Sequence, residues 1–546
     1  MNGKKNRVRG CYSRAMGIRV SQSINDKNNL LNIPTSNMTK QQKSLLNFFN
    51  KKHNSFPIIG LKQEHFDNGT FRIKNPGKYV LLEDINFNPN EDNDFFPTQQ
   101  QISSGLYPEL MNGPYHLGFF AAIAVESENV IIDLNNKTLK QSEKHAFQQR
   151  FYSNIELANS PFIPKQGPGD FKGNTTYKPA KNVVVMNGKL GKSSHHGIHS
   201  NKADNVILHN LDITNFEVAG IALNGSSNSI LSNINIHDNT QNIPILSTYS
   251  QARFIRKHLD SIPASSSINI LGTDVTRETI KNNLNNKLNE TFTAFKNGEQ
   301  LPENIFKNNE AEKGYDGNVY GIVLNVNGVV INDFIEERTP SMVGNNNIYL
   351  NNIKINNLSS NPLEIIGISD NSGECAINEA YGKNVQSGPV GDIIQFENIV
   401  TDKINIDGTY IRNVLSDAQF IVSKYSSKPK VTQCILDWVS EGTNLKEKVI
   451  DEEQYYYVTG RDSMSHTMKG NIGLFISGGI NIKGDNVYIS NIKNLATPKS
   501  FTSNNICPTL RSNQPFVASN NITVSNNNIN INNVNILNTQ NLHTPL

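Results

Sequence analysis

A chain of 546 residues with 51 basic and 48 acidic side chains has a net charge of only +3, too little to make the whole molecule a nucleic-acid binder. Only 36% of its residues are hydrophobic, and no stretch approaches the ~20 apolar residues of a membrane-spanning helix. The four cysteines (Cys11, Cys375, Cys434 and Cys507) are scattered without a C-x-x-C pair, which excludes a recognisable zinc site or disulfide framework and suits a reducing compartment.

The first 25 residues carry Lys4, Lys5, Arg7, Arg9, Arg14 and Arg19 with no acid before Asp26. No apolar core follows these charges, so the segment is not a secretory signal; residues 1–35 read as a disordered basic arm. Residues 36–70 read as an N-terminal helical cap. Within them Thr39 and Gln42 make a capping box, and Leu45, Leu46, Phe48 and Phe49 supply an apolar face. "FRIKNPGKYVLLEDINF" from Phe71 reads as entering strands, broken at Pro76-Gly77.

A nine-residue phrase then repeats. N-V-I-L-H-N-L-D-I from Asn205 is echoed by N-S-I-L-S-N-I-N-I from Asn228 and by N-V-V-V-M-N-G-K-L from Asn182. It returns from Asn347 and Asn486, more loosely from Asn521, and as relics at Asn129 and Asn398. Apolar residues alternate within each half of the phrase, as in a strand, and the alternation restarts after the second Asn. That phase break marks a bend. A third short strand precedes the phrase: "GIHS" from Gly197, "GIAL" from Gly220, "GIVL" from Gly321.

Three strands in each 23-residue repeat (Asn182 to Asn205 to Asn228) describe a rung of a parallel β-helix. Asn suits the corners because it tolerates left-handed backbone, and stacked Asn side chains can form a hydrogen-bonded ladder that satisfies polar groups carried into a dry interior. Val206, Leu208, Leu211, Ile213, Leu231, Ile234, Ile236, Leu350, Ile353 and Ile355 are the expected core.

The fold class expected is all-β: a single-stranded right-handed parallel β-helix, a solenoid with an N-terminal helical cap and two insertions. The β-helix occupies residues 71–242, 313–414 and 469–546. Residues 243–312 break it with a mostly helical insertion, marked by the stripe Ile280, Leu284, Leu288, Phe292 and Phe295. Residues 415–468 break it again and hold the sole tryptophan, Trp438, with the run Tyr455-Tyr456-Tyr457.

"NPGKYVLLEDINF", "AIAVESENVIIDLNNKTL" and the rungs that follow resemble the right-handed β-helix proteins of the pectate-lyase-like superfamily. The Asn and Ile bias, with no signal peptide, also resembles β-helix proteins of large AT-rich DNA viruses. The resemblance implies an intracellular or virion-associated protein whose partners are a polysaccharide or glycan, other particle proteins, or two further copies in a homo-trimer. It does not choose among lyases, hydrolases, epimerases and non-catalytic fibres.

The polygalacturonase-like branch places N-T-D, D-D, G-H-G and R-I-K on its rungs. Here Ser194-His195-His196 precedes "GIHS", Val218-Ala219 precedes "GIAL", and R-I-K occurs only at Arg72 in the entry segment. The paired carboxylates that glycoside hydrolysis needs are missing where that branch puts them. Glu217 is the nearest acid.

The weak catalytic candidates are therefore His196, Glu217 and Asp316. His196 and His199 can face one side only if their strand bends, and would then offer a general base or, with His195, a metal site. Asp316, Glu364 and Asp370 are the one candidate calcium cluster; otherwise the residues call for no cofactor and no metal. Trp438, Tyr455, Tyr456 and Tyr457 are the candidate glycan-binding residues, because flat aromatic faces stack on sugar rings. The reading that follows is a non-catalytic structural or surface component, fibre-like, that binds glycans. A polysaccharide-active enzyme and a protein-interaction scaffold are the alternatives.

Overall fold

The computed structural model describes residues 30–110, 113–115, 118–149, 152–162, 176–239, 253, 256, 259, 263–270, 273–297, 299, 319–325, 345–360, 394–406, 409–410, 471–477, 482–490, 493–494, 497–498, 520–525, 529–537 and 540–541. In these residues the chain winds into a parallel β-helix built on two long sheets. The eight-stranded sheet runs from Phe71–Ile73 through Ala121–Val125, Ser153–Glu156, His196–Asn201, Ala219–Asn224, Val319–Asn325 and Asn471–Ser477 to Asn520–Ser525. The fifteen-stranded sheet includes Lys181–Leu190, Asp204–Thr214, Ser227–His237, Asn346–Ser360 and Ile394–Ile406, paired in parallel and in chain order. Like residues stack on like: Leu208 pairs with Leu231 and Ile213 with Ile236, and these pair with Leu350 and Ile355. All ten expected core positions are buried.

The two short strands expected around each second Asn form one continuous ladder, kinked at that residue. The kinks are left-handed. Of the 21 non-glycine residues with positive φ among the described residues, 17 are Asn, including Asn205 (58°), Asn210 (53°) and Asn215 (56°). The left-handed region costs an ordinary L-residue roughly 1–2 kcal/mol, a penalty Asn reduces by bonding locally. A third corner, at Asn215, Asp238 and Asn357, accompanies the two that the phrase displays.

The asparagine ladder exists, with two corrections. It runs along the outer side of the corners and not through a dry interior: Asn205 and Asn228 are half-buried, and Asn210 and Asn233 are exposed. A left-handed turn points its side chain away from the core, so the amides meet each other at the surface. The ladder also slips onto the preceding Asp: Asn228 Nδ2 donates to Asp204 Oδ1 (3.0 Å) in place of Asn205, and Asn533 Nδ2 is closer to Asp485 Oδ1 (2.7 Å) than to Asn486. The loose copy at Asn521 belongs to another sheet altogether, since Asn520–Ser525 is the last strand of the eight-stranded one. Asn533 takes the ladder position, with φ 50° and Nδ2 3.4 Å from Asn486 Oδ1.

The recurrent Gly-Ile has a steric cause. A Cβ on Gly197 would lie 2.5 Å from Gly220 O and 2.8 Å from Ile213 Cγ2. Only glycine fits where successive rungs and the facing sheet approach this closely.

The first helix, α1 (Lys40–Lys52), forms where its capping box predicts, with Gln42 N donating to Thr39 Oγ1 at 3.3 Å. It does not cover an end of the stack. Leu45, Leu46 and Phe49 lie flat on the outer face of the fifteen-stranded sheet, against Ile131, Val184, Ile207, Ile230 and Tyr349 of successive rungs. Gln42 Nε2 donates to Asn347 O at 2.8 Å. Leu31 and Ile33, placed by sequence in the disordered arm, are buried in the same cluster, whereas Phe48, assigned to the apolar face, is 36% exposed. The first rung starts earlier than expected, because Ile58–Leu61 already pairs with Gly77–Leu81.

Within 243–312 the described residues include a hairpin, Ser267–Ile270 with Thr273–Thr276, and the helix Arg277–Asn297. Ile280, Leu284 and Leu288 of the expected stripe are buried. The insertion is bolted to the first rungs. Phe292 stacks on Phe147 (6.2 Å), and the buried Arg253 lies over the Phe96 ring (4.3 Å) and donates to Gln148 O (2.9 Å).

Candidate functional site: a histidine–carboxylate cluster on the eight-stranded sheet

On each strand of the eight-stranded sheet the residues that alternate with core positions face outward. Ile155 and Ile198 are core residues in register, so Glu156 and His199 stand side by side outside. The same column continues to Ala222 and Val323 in one direction and to Ala124 and Arg72 in the other. Arg72, the lone R-I-K arginine, is committed elsewhere: Nε and Nη2 donate to Glu126 at 2.5 and 2.9 Å.

His199 is the centre of the cluster. Its Nδ1 lies 2.8 and 3.0 Å from the two carboxylate oxygens of Glu156, which also accepts from Ser153 Oγ at 3.2 Å. Its Nε2 faces the amide nitrogen of Asn224 at 3.2 Å. The same Asn224 Nδ2 donates to Asn201 Oδ1 at 3.2 Å, the direction every ladder asparagine follows, later rung to earlier. That direction fixes the amide, and the amide fixes the imidazole: a neutral ring with its proton on Nδ1 and an acceptor at Nε2. Asn201 is held from behind, its Nδ2 donating to Pro161 O at 3.0 Å, while its main-chain carbonyl accepts from Tyr177 Oη at 2.7 Å.

Glu156 is 1% exposed, and burial pushes its carboxyl above the usual range, opposed by His199 and Ser153. Burial also raises the Tyr177 phenol well above its ordinary value, with the Glu156 charge adding to it.

His196 completes a stack. Its ring lies parallel to that of His199 (7°, 4.9 Å between centroids) and to that of His195 (20°, 4.0 Å). Simple alternation would put residues 196 and 199 on opposite faces. The strand therefore bends between them, as the sequence requires if the two are to meet. Gly197, between them, carries no Cβ to resist it. Burial, with two neighbouring imidazoles, holds the His196 pKa well below the usual histidine value, so it is neutral near pH 7.

Beyond the histidines the face turns apolar. Ala219, Ala222 and Val323 form a buried patch with Tyr320 packed against it. Glu217 is 8% exposed and sits at the turn before Ala219–Asn224, where the next peptide, Val218 N–H, donates to His195 O at 2.9 Å. Of the predicted candidates, the structure thus gathers His195, His196 and His199 on one face, with Glu217 at the adjoining turn. Asp316, Glu364, Asp370, Trp438, Tyr455, Tyr456 and Tyr457 lie outside the described residues. Among the described residues no three His, Cys, Asp or Glu side chains are placed to hold a metal ion.

Glu156, Asn224 and Tyr177 were not foreseen. The signal available was faint: "SNIE" from Ser153 aligns Ile155 with the isoleucine of "GIHS", which puts Glu156 level with His199. The separation of 43 residues hides this, because it departs from the 23-residue period.

The sequence matches no family model and no curated protein. Solved structures similar in chain path include a surface protein and adhesin of Streptococcus pneumoniae, PfbA (10% identity, 88% of this chain and 80% of that one, TM-score 0.28). Another is the A-module of the Azotobacter vinelandii mannuronan C-5 epimerase AlgE6 (7% identity, 91% and 96%, TM-score 0.27). A third is the tailspike of E. coli bacteriophage HK620, solved with a pentasaccharide (8% identity, 84% and 60%, TM-score 0.26). Likeness at this level carries no argument about chemistry.

Proposed function

We propose that this chain is a non-catalytic, carbohydrate-binding β-helix whose ligand lies along the outer face of the eight-stranded sheet. One observation carries this reading. A flat strip of three stacked imidazoles runs directly into the apolar patch of Ala219, Ala222, Val323 and Tyr320. A sugar ring has an apolar C–H face and a rim of hydroxyls. The rings and the Tyr320 side chain suit the face; the imidazole nitrogens suit the rim. A role as a structural or surface component, fibre-like and trimeric, belongs to the same proposal and draws on the rod that stacked rungs make.

The test is retardation of the purified protein in gels containing pectate, alginate or a neutral glucan. Wild type is retarded in at least one, and Tyr320→Ala and His196→Ala lower retardation without moving the melting temperature. Equal mobility of all three proteins in every gel overturns the reading. Sedimentation equilibrium at the monomer mass removes the trimer.

The pairing of buried Glu156 with His199 favours a second reading, in which the same face performs acid–base chemistry on a polysaccharide. New reducing ends or unsaturated uronide absorbance, abolished in His199→Ala, would establish it.

A further inference from the structure

Around His199 every hydrogen-bonding capacity is used in one sense only. Glu156 accepts at Nδ1, and Asn224 donates at Nε2. Asn224 has no freedom to reverse, since its nitrogen also serves Oδ1 of Asn201, whose amide is oriented by its own donation to Pro161 O. A proton added to Nε2 turns this atom from acceptor into donor and sets two N–H groups against each other at 3.2 Å.

We propose that His199 is an acid-sensitive latch of this sheet face: protonation of Nε2 expels the Asn224 amide and loosens the strand Ala219–Asn224, which carries Ala219 and Ala222 of the apolar patch. The consequence, release of carbohydrate on acidification, rests on the function proposed above; the latch itself does not.

The groups facing His199 decide where the proton goes. From the strand below, the Glu156 carboxylate faces Nδ1 of His199 at 2.8 Å. On its own strand and turn, His196 is stacked against it (4.9 Å) and His195 is stacked against His196 (4.0 Å), and like charges at such separations are unfavourable. From the strand above, Ala219–Asn224 brings no charged side chain, and Glu217 lies at the turn before it. From the segment behind, Tyr177 is a neutral phenol. His199 thus has the Glu156 carboxylate as a counter-charge, and His196 is held neutral beside it.

Two measurements test the latch. The first is hydrogen exchange of the Ala219–Asn224 amides at about pH 7.5 and pH 5.5, corrected for intrinsic rate, in wild type and His199→Gln. Wild type gains at least about tenfold at the lower pH and His199→Gln shows no such gain; equal responses overturn the proposal. The second, on wild type alone and so independent of the variant's folding, is nitrogen-15 spectroscopy of the imidazoles. Nε2 of His199 takes up its proton over the same pH range in which the Asn224 side-chain amide shifts. An Asn224 signal that ignores that titration overturns the proposal too. Hexasaccharides of pectate, alginate and cellulose are titrated at both pH values. If none binds at either pH while exchange still switches, the carbohydrate reading fails and the latch stands. If one binds with equal affinity at both, release on acidification is wrong.

Discussion

Asn205 donates from Nδ2 to Oδ1 of Asn182 at 2.8 Å, and Asn182 donates in the same sense to Asn129 at 3.1 Å. Each residue holds a left-handed corner, with φ of 58°, 54° and 58°. One side chain therefore does two things: it permits the turn and ties it to the rung below. The link from sequence to stability runs through the backbone angle as much as through the bond.

The two contributions can be separated by substitution. Asn205→Ala loses the bond and keeps an unfavourable φ, and should destabilise by about 2 kcal/mol; Asn205→Gly loses only the bond and should cost about 1 kcal/mol. Urea unfolding midpoints provide the check. Equal losses for Ala and Gly would mean that backbone angle contributes nothing.

Gly220 should not accept a side chain. A Cβ there would sit 2.7 Å from Ile236 Cγ2 and 2.9 Å from Gly321 O. Gly220→Ala is expected to cost about 1–3 kcal/mol. A thermal melt indistinguishable from wild type would show that the rungs can spread to make room.

Helix α1 is held by Phe49, which is fully buried, and scarcely by Phe48. Phe49→Ala should expose residues 30–56 to protease while the rungs stay resistant; Phe48→Ala should cut at the wild-type rate. Because α1 crosses several rungs, its loss should also lower the unfolding free energy, by about 3 kcal/mol. Cleavage at similar rates in both variants would count against the strap.

Acid should weaken the fold through imidazoles kept neutral. Burial, aided by Arg253, holds His145 well below the usual histidine value, and His196 is lowered by burial and its stacked neighbours. For groups depressed in the folded state, the stabilising contribution is complete above the unfolded value, near pH 6.5, and is lost as pH falls below it. Glu156 works in the opposite direction: its raised carboxyl contributes most below about pH 4.5 and less as pH rises through its folded value. Between about pH 6.5 and 5 stability should therefore fall with falling pH, and His196→Asn should flatten that slope by up to about one proton. Chemical denaturation across this range measures it, and an unchanged slope in the variant would remove His196 from the account.

The sequence was legible where one residue type does one job at a fixed interval. Leu208, Leu231 and Leu350 announce a buried column because alternation and period agree. It was less legible where two elements share a surface. The capping box placed α1 but could not say that Ile207 and Ile230, on the outward side of their strands, were the helix's seat. An outward isoleucine reads as solvent-facing until the helix above it is seen.

What the sequence determined by itself is the solenoid: a period of 23 residues, marked by asparagines at its corners and isoleucines within. This follows because each rung's neighbours are set by local chemistry, namely a tolerated backbone angle, an alternation and a glycine where space runs out. Only the tertiary structure decided the site. Glu156 meets His199 across 43 residues because the two strands that carry them pair in register, and His196 joins them because a strand bends at Gly197. Neither depends on a repeating pattern. Both are consequences of where the chain is brought back, which is a property of the stack and not of any stretch within it.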